Sequence, residues 1–157
     1  MLATGGDGVD ARVLVLRAVD PDRAELTFFT DARAAKAGAI VAAPRVAVVA
    51  WDPTLQLQVR LHGSARIATD GAPVDAAFAQ VPVGARRAYR TTAAPGTPSA
   101  TAAVDENGDQ AGGGRANFAV ITVTVDRVEW LDLAGPSHRR AAFIRADGTW
   151  VGSWLVP

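Results

Sequence analysis

The chain has 157 residues, enough for one domain with a substantial hydrophobic core. Hydrophobic residues make up 49% of it and charged residues 20%, which is ordinary for a globular protein. Its 16 basic residues balance its 16 acidic residues, which argues against a nucleic-acid-binding protein because such proteins normally carry a basic excess.

Several residue types and segments that the sequence lacks exclude further classes of function. The chain has no cysteine, which excludes disulfides, thiolate catalysis and cysteine-bound zinc. Its two histidines, His62 and His138, lie far apart in sequence, so no metal site is predicted. No apolar run approaches the roughly 20 residues that span a bilayer, and no signal peptide is visible. We therefore expect a cytoplasmic protein that binds neither membranes nor nucleic acid.

The first part of the chain predicts strands around one helix. From their Val, Leu, Phe and Ile content, strands are predicted over 12–17, 25–30, 45–51 and 55–67. Asp31 is the expected N-cap of an alanine-rich helix over 32–43, which Pro44 ends. Gly63, inside the last of these strands, is expected to mark a bulge or the close approach of another backbone.

The second part predicts short helices, a long loop and a run of strands. Helices are expected over 73–80 and 84–89. Residues 91–115 are rich in Ala, Gly, Pro, Thr and Ser without periodicity, which predicts a long surface loop and a candidate for mobility. Strands follow over 117–125, 128–133, 139–145 and 149–155, with turns at 126–127, 135–136 and 147–148. The pattern predicts a mainly β protein, a barrel with a few helices, in one domain over 1–157.

Three short segments place cations and hydrogen-bonding groups at the ends of predicted elements. Arg12 opens the first strand; Thr30, Arg33 and Lys36 lie where a strand leads into the helix; Gln58 opens the segment Gln-Val-Arg-Leu-His-Gly. A phosphate monoester carries nearly two negative charges, so its site favours several cations and N–H groups at a helix start. We interpret these segments as a site for flavin mononucleotide (FMN).

In order and spacing, the segments resemble the pyridoxamine 5′-phosphate oxidase-like superfamily of FMN-binding split β-barrels. Residues 12–17 resemble its Arg-x-Val-Leu-Leu-Lys, residues 28–36 its Phe-Phe-Thr-Asn…Ser-Arg-Lys, and residues 58–63 its Gln-Val-Arg-Ile-x-Gly. The tail, with His138, Arg140, Phe143, Trp150 and Pro157, resembles its Arg-Leu-His-x-Arg, its Trp and its final Pro. The match is collinear over nearly the whole chain and is typical of a less characterised branch of the superfamily.

The resemblance implies a set of cofactor contacts. They are Arg12, Val13, Leu14, Val15, Leu16, Arg17, Phe29, Thr30, Arg33, Lys36, Gln58 and Arg140. The implied phosphate contacts are Arg12, Thr30, Arg33 and Lys36, while residues 13–16 would line the ring and ribityl chain. Strand alternation places Arg12 and Arg17 on opposite faces, so both reach one ligand only if it wraps the strand end or the strand bulges.

The resemblance also implies a homodimer with FMN at its interface. Gln58 would hydrogen-bond the flavin, Arg140 would reach it from the second subunit, and His138 is a candidate substrate contact. In the simpler interpretation, the three phosphate-site cations are solvated surface charges and Gln58 faces water.

The departures from the family pattern concern the substrate. Where oxidase members bind the substrate phosphate through Tyr, Arg and Ser, this chain has Ala77, Val81 and Ala85, and Pro136 replaces the first Arg of the tail motif. Leu131 stands where the family has a Trp that packs on the flavin. We predict an FMN-dependent oxidoreductase with an altered small-molecule pocket and weak pyridoxamine 5′-phosphate oxidase activity. No catalytic acid or base is identified.

Two alternatives remain at this stage. One is a carrier of flavin or a related cofactor without turnover. The other is a split barrel that has exchanged FMN for another flavin-like or tetrapyrrole cofactor.

Overall fold

Strands dominate the residues that the computed structural model describes, which are 1–5, 8–102, 107–108 and 110–157. The strands are β1 (Leu2–Thr4), β2 (Asp10–Arg12), β3 (Leu16–Asp20), β4 (Glu25–Asp31), β5 (Arg45–Asp52), β6 (Leu57–Ala68), β7 (Phe118–Asp132), β8 (Arg139–Ala146) and β9 (Thr149–Leu155). The helices are α1 (Ala35–Ala42), α2 (Ala72–Ala79) and the 3-10 helices Val83–Tyr89 and Arg115–Asn117. The prediction of a mainly β protein is confirmed.

All strand pairs are antiparallel, and the sheet order is β2-β1-β5-β6-β7-β4-β3. The long strand β7 has two partners on one side: β4 along residues 118–124 and β8 along residues 127–132. β9 adds to β8. The sheet therefore divides along β7, with a closed part that contains β4 and an outer hairpin formed by β8 and β9.

The main hydrophobic core shows that the closed part curls into a barrel. Leu2 of β1 and Leu26 of β4 have three strands between them in the sheet order, yet both lie in one buried cluster. Ile40 of α1 packs into this cluster and is 1% exposed. Alternation along β7 places Ile121 and Val123 in it, because successive strand residues point to opposite faces. The inner face is thus the barrel interior, and the other face is outer.

The prediction of one strand over 12–17 is wrong. β2 ends at Arg12, β3 begins at Leu16, and residues 13–15 belong to neither. β2 and β3 lie at the two opposite ends of the sheet path, so this apolar run carries the chain from one end to the other. Val13 and Val15 are exposed, whereas Leu14 packs against the core.

A bulge at Arg17 removes the difficulty that strand alternation raised for Arg12 and Arg17. Leu16 pairs with Phe28 and Ala18 with Thr27, which leaves Arg17 as an extra residue. With a strand break and a bulge between them, the relative directions of the two arginines do not follow from counting residues.

Asp31 does not cap the helix as predicted. It is the last residue of β4, and its Oδ1 accepts hydrogen bonds from the backbone N of Arg33 at 2.8 Å and from Arg33 Nε at 3.0 Å. Helix α1 begins at Ala35, and Ala34 at its N-cap makes no side-chain cap. The carboxylate of Asp31, three residues before the N-cap at Ala34, is thus used by Arg33.

The predicted turn at Asp126-Arg127 is also wrong, because β7 runs through both residues. His62 pairs with Arg127 and Gly63 with Val125, so Asp126 is an extra residue on β7. The break in alternation that indicated a turn is therefore a bulge. The expected close approach at Gly63 is confirmed, since a Cβ there would lie 2.2 Å from the carbonyl oxygen of Thr124.

The predicted loop over 91–115 forms turns and bends without helix or strand in its described part up to Gly114. Residues 103–106 and 109 of that prediction lie outside the described residues. In the part of the chain that the structure covers, no helix has the length and apolar character needed to cross a bilayer.

Candidate cofactor site

A cleft of about 410 Å³ lies between the N-terminal strands and α1. Thr4, Asp10 and Arg12 line one side, and Lys36 and Gly38 of the helix line the other. We call it the Arg12–Lys36 cleft. The fold thus brings together two of the three cations that the sequence predicted for a phosphate.

Arg12 is held in place by its own strand neighbours. Its Nη1 donates to Thr4 Oγ1 at 3.0 Å and to the carbonyl of Leu2 at 3.3 Å, and its Nη2 binds the carboxylate of Asp10. Its side chain is only 17% exposed, whereas that of Asp10 is 74% exposed. Arg12 is therefore a fixed cation whose counter-charge lies at the solvent edge.

Lys36 lies in the first turn of α1 and, among the described contacts, makes no ion pair. Its Nζ donates to Thr30 Oγ1 at 3.3 Å. Burial lowers the pKa of Lys36, and the nearby charge of Arg12 lowers it further, against opposition from Asp31 and Asp10. The first N–H groups of a helix have no intrahelical partner and carry partial positive charge. The cleft therefore favours an anion, and a phosphate group matches its donors.

Arg33, the third predicted cation, is used elsewhere. Its Nη2 donates to Asp31 Oδ2 at 2.8 Å and to Thr91 Oγ1 at 3.0 Å, and its Nη1 donates to the carbonyl of Thr91 at 2.8 Å. The hydrogen bonds to Asp31 raise the pKa of Arg33. In this arrangement Arg33 ties the start of the long loop to the end of β4.

Gln58 faces away from the Arg12–Lys36 cleft. Arg12 pairs with Leu2, Leu2 with Val48, and Val48 with Leu61, and residues paired in this way share a face. Leu2 is fully buried, so this is the inner face. Gln58 precedes Leu61 by three residues in β6 and therefore points to the outer face.

Arg140 lies on the same outer face as Gln58. Leu131 of β7 pairs with Gln58 on one side and with Arg140 on the other, so the three residues form a row. The implied cofactor contacts thus divide into two groups, one on the inner face at the cleft and one on the outer face.

A buried carboxylate lies next to this row. Glu129 is 4% exposed and is covered by three arginines. Its Oε1 accepts from Arg127 Nε at 3.0 Å and from Arg127 Nη2 at 2.5 Å, and its Oε2 accepts from Arg140 Nη2 at 2.7 Å. Arg60 Nη1 lies 3.7 Å from Oε2. We call these four residues the Glu129 cluster.

The Glu129 cluster predicts an acid-sensitive component of stability. The hydrogen bond from Arg140, opposed by burial and then reinforced by Arg127, lowers the pKa of Glu129 from its ordinary 4.5 to about 2. A lowered folded-state pKa stabilises the fold above pH 4.5 and loses that effect as the pH falls towards 2. We expect urea midpoints at pH 7 and pH 3 to differ less in Glu129→Gln than in the unsubstituted protein. Equal differences in the two proteins would contradict the assignment.

Arg17 lies over an aromatic cluster on the outer side of the barrel. Its Cζ is 5.2 Å from the centre of the Phe29 ring, and Phe29 packs edge-on against Phe118 at 5.0 Å. Tyr89 packs against Phe118 at 5.2 Å, and burial raises the pKa of Tyr89, an effect that Arg17 partly offsets. Among the contacts of the described residues, Arg17 interacts with this aromatic cluster alone.

Two of the positions where oxidase members bind the substrate phosphate, Ala77 and Val81, have apolar surroundings here, whereas Ala85 and Pro136 are exposed. Val81 is 5% exposed in the cluster of Phe78 and Phe118, and Ala77 packs against the same cluster. The adjacent Arg86 donates Nε to the carbonyl of Val81 at 3.0 Å and Nη2 to that of Ala79 at 3.2 Å. Arg86 therefore satisfies carbonyls at the end of α2.

His138, the candidate substrate contact, is exposed immediately before β8. The next residue, Arg139, binds Asp132 with Nη2 at 2.6 Å from Oδ2 and lies 6.0 Å from the Trp130 ring. The structure does not bring His138 into the Arg12–Lys36 cleft. Within the described residues, no group of three His, Asp or Glu side chains is arranged to hold a metal ion.

Sequence reasoning missed the acidic partners of the site. Asp10 and Glu129 were not predicted, because a phosphate site is expected to consist of cations and N–H groups and not of carboxylates. A signal for Glu129 lay in Arg127, two residues before it, but the predicted turn at 126–127 hid this signal; the two side chains share a face because β7 runs through both residues. Arg60 gave no such signal, because its pairing with Glu129 depends on the register of β6 against β7.

The comparisons with known proteins decide the family. A family model described as pyridoxamine 5′-phosphate oxidase matches residues 1–132. The chain belongs to this family. A pyridoxine/pyridoxamine 5′-phosphate oxidase from Kineococcus radiotolerans is 40% identical over 100 residues, and the match covers 62% of this chain but only 43% of that relative.

Two solved structures show the same fold. One is a pyridoxamine 5′-phosphate oxidase-related, FMN-binding protein from Nostoc punctiforme, with a TM-score of 0.80, 24% identity and coverage of 99% of this chain and 86% of that one. The other is PhzG from Burkholderia lata, in complex with tetrahydrophenazine-1-carboxylic acid, with a TM-score of 0.76, 18% identity and coverage of 99% and 80%. The predicted split-barrel fold of the pyridoxamine 5′-phosphate oxidase family is thereby confirmed.

Proposed function

We propose that this member of the pyridoxamine 5′-phosphate oxidase family is an FMN-binding flavoprotein and acts as an oxidoreductase. The observation that carries the proposal is the Arg12–Lys36 cleft, where the fixed guanidinium of Arg12 and the ammonium of Lys36, which has only a hydroxyl partner among the described contacts, meet at the first turn of α1. The Nostoc punctiforme neighbour, which is described as FMN-binding, supports the choice of cofactor.

The donor set of the cleft fits the phosphate of FMN. Arg12 would supply a fixed guanidinium, Lys36 an ammonium, and Thr4 and Thr30 hydroxyls that these cations already contact. No atom lies within 4 Å of a Cβ built on Gly38, so the helix surface is open on that side. When bound, the flavin ring would supply the redox chemistry, while the protein would orient the cofactor and exclude water.

The test of this proposal compares FMN with riboflavin. Protein incubated with FMN and then desalted is expected to keep the yellow colour and the flavin absorption spectrum. Riboflavin, which lacks the phosphate, is expected to bind much more weakly because it cannot use Arg12 and Lys36. Protein that stays colourless after incubation with FMN would contradict the proposal, and a tetrapyrrole spectrum in the purified protein would favour an exchanged cofactor.

A homodimer would reconcile the two groups of implied contacts. Arg12 faces the inner side of the sheet and Gln58 the outer side, so one copy presents them in opposite directions, whereas two copies can present both faces to one FMN. The outer face also carries the exposed apolar residues Trp51, Ile144 and Val151. Apolar patches around polar groups suit an isologous interface. Light scattering is expected to give twice the chain mass, and a monomer with full flavin occupancy would refute shared sites.

The altered substrate region predicts weak pyridoxamine 5′-phosphate oxidase activity. Ala77, Val81, Ala85 and Pro136 offer no side-chain donor, and Arg86 donates to the carbonyls of Ala79, the last residue of α2, and of Val81. Each lost charge-assisted hydrogen bond costs about 1.5–3 kcal/mol, so two or three losses weaken substrate binding by roughly a thousandfold if they add. An oxidase assay of FMN-loaded protein checks this. Turnover with a micromolar KM would show that other residues bind the substrate phosphate.

The same absence of substrate contacts favours a second function, a flavin carrier without turnover. Stopped-flow reduction of the bound flavin with candidate donors separates the two. Reduction by any organic donor supports the oxidoreductase, whereas a bound flavin that no donor reduces supports the carrier.

A further inference from the structure

The Glu129 cluster has more positive charge than its carboxylate needs. One carboxylate faces the guanidinium groups of Arg60, Arg127 and Arg140, which leaves a net charge of about two positive units on the outer face. A single arginine would suffice to compensate a buried carboxylate. The arginine side chains remain 30–42% exposed, so the cluster presents cationic N–H groups to whatever covers this face.

The geometry of the cluster restrains Arg140 in particular. Its Nη2 lies 2.7 Å from Oε2 of Glu129, the shortest contact to that oxygen, while Arg60 is 3.7 Å from it. Oε1 is occupied by the two hydrogen bonds from Arg127. Because each oxygen has its own donor, the carboxylate cannot turn without breaking charge-assisted hydrogen bonds. Glu129 therefore holds the Arg140 guanidinium in one place beside Leu131 and Gln58.

A stability role alone does not explain the arrangement. Buried ion pairs are weak evidence for stability, because desolvation of the charges offsets their attraction. Their best supported use is to select one conformation among several. The conformation selected here is that of Arg140, the residue implied to contact the cofactor from a neighbouring copy.

We propose that Glu129 is a positioning residue for the cofactor: it holds Arg140 in the orientation from which the guanidinium contacts FMN bound by the partner copy. This inference rests on the proposed function. Arg127 fixes the other carboxylate oxygen through two hydrogen bonds, and Arg60 adds its charge at 3.7 Å from Oε2.

The test is a double-mutant cycle on FMN affinity, measured with the full chain by quenching of FMN fluorescence. Glu129→Gln and Arg140→Gln are each expected to weaken FMN binding about tenfold, the scale of one charge-assisted hydrogen bond. The double variant is expected to bind FMN at most about twofold more weakly than whichever single variant has the lower FMN affinity. The reason is that both changes remove the same contact. The visible circular dichroism of the bound flavin is expected to change alike in both single variants.

Glu25→Gln is the matched control. Glu25 is also a largely buried strand carboxylate, and its Oε1 accepts from Arg66 at 2.8 Å, but it lies on β4 and outside the Glu129 cluster. We expect a comparable loss of stability with an unchanged FMN affinity. If Glu129→Gln does not fold, Glu129→Asp keeps the charge while withdrawing the carboxylate by one methylene, and it is also expected to bind FMN more weakly.

The outcomes separate this inference from the proposed function. If the unsubstituted protein binds FMN and the folded Glu129 variants bind it equally well, the positioning role is overturned while the function stands. Multiplicative losses in the double variant would also overturn it, because they mean independent effects. If the unsubstituted protein binds no FMN, both the function and the role of Glu129 fall.

Discussion

Replacing Gly63 with alanine is expected to destabilise the protein by about 3 kcal/mol, at the upper end of the usual cost of overpacking. The added Cβ would lie 2.2 Å from the carbonyl oxygen of Thr124, 2.9 Å from its carbonyl carbon and 3.0 Å from the Cα of Val125. All three are backbone atoms of β7, so no side chain can rotate away. Relief requires a shift of β6 against β7 at the bulge, in the centre of the sheet.

Gly38→Ala is the matched control for Gly63→Ala. No atom lies within 4 Å of a Cβ built on Gly38, and the residue is in the interior of α1. Alanine is favoured over glycine in a helix by about 0.5–1 kcal/mol, so this variant is expected to be slightly more stable. Urea unfolding of both variants checks the pair. A Gly63→Ala protein as stable as the unsubstituted one would show that the two strands separate without cost.

Replacing Lys36 with methionine is expected to weaken FMN binding by roughly tenfold to a hundredfold, the scale of one lost charge-assisted hydrogen bond. Lys36 lines the Arg12–Lys36 cleft, where burial and then the nearby charge of Arg12 lower its pKa, so a bound anion is expected to stabilise its ammonium form. Methionine keeps most of the length of the side chain and its apolar contacts while removing the ammonium. Isothermal titration with FMN measures the effect.

Two comparisons make this result specific. Riboflavin affinity is expected to be nearly the same in Lys36→Met and in the unsubstituted protein, because riboflavin has no phosphate. Arg33→Met is expected to weaken FMN binding much less than Lys36→Met, because the Arg33 guanidinium is bound to Asp31 and Thr91. A larger loss in Arg33→Met would mean that Arg33 leaves these partners to bind the phosphate.

Local patterns predicted most of the elements. The strand over 149–155 was predicted with its observed limits, and the predicted strands over 45–51 and 139–145 differ from β5 and β8 by one residue each. Alternating apolar residues specify such strands because only one of their faces is buried. The turn at Asp147-Gly148 was predictable for a similar reason, since both residues have positive φ and Asp and Gly tolerate it.

The sequence by itself also determined the family, and it predicted Arg12 and Lys36, together with Arg33, as phosphate contacts because a strand end and a helix start lie close to these residues along the chain. Only the tertiary structure decided which charges are already paired. Arg33 donates a hydrogen bond to Thr91, 58 residues away, and Arg45 donates one to Asp126, 81 residues away. Glu129 meets Arg60 through the register of two strands. A bulge at Asp126 sets that register, and a one-residue shift would turn every side chain beyond it to the other face, so the partners of a charge cannot be found by counting along the chain.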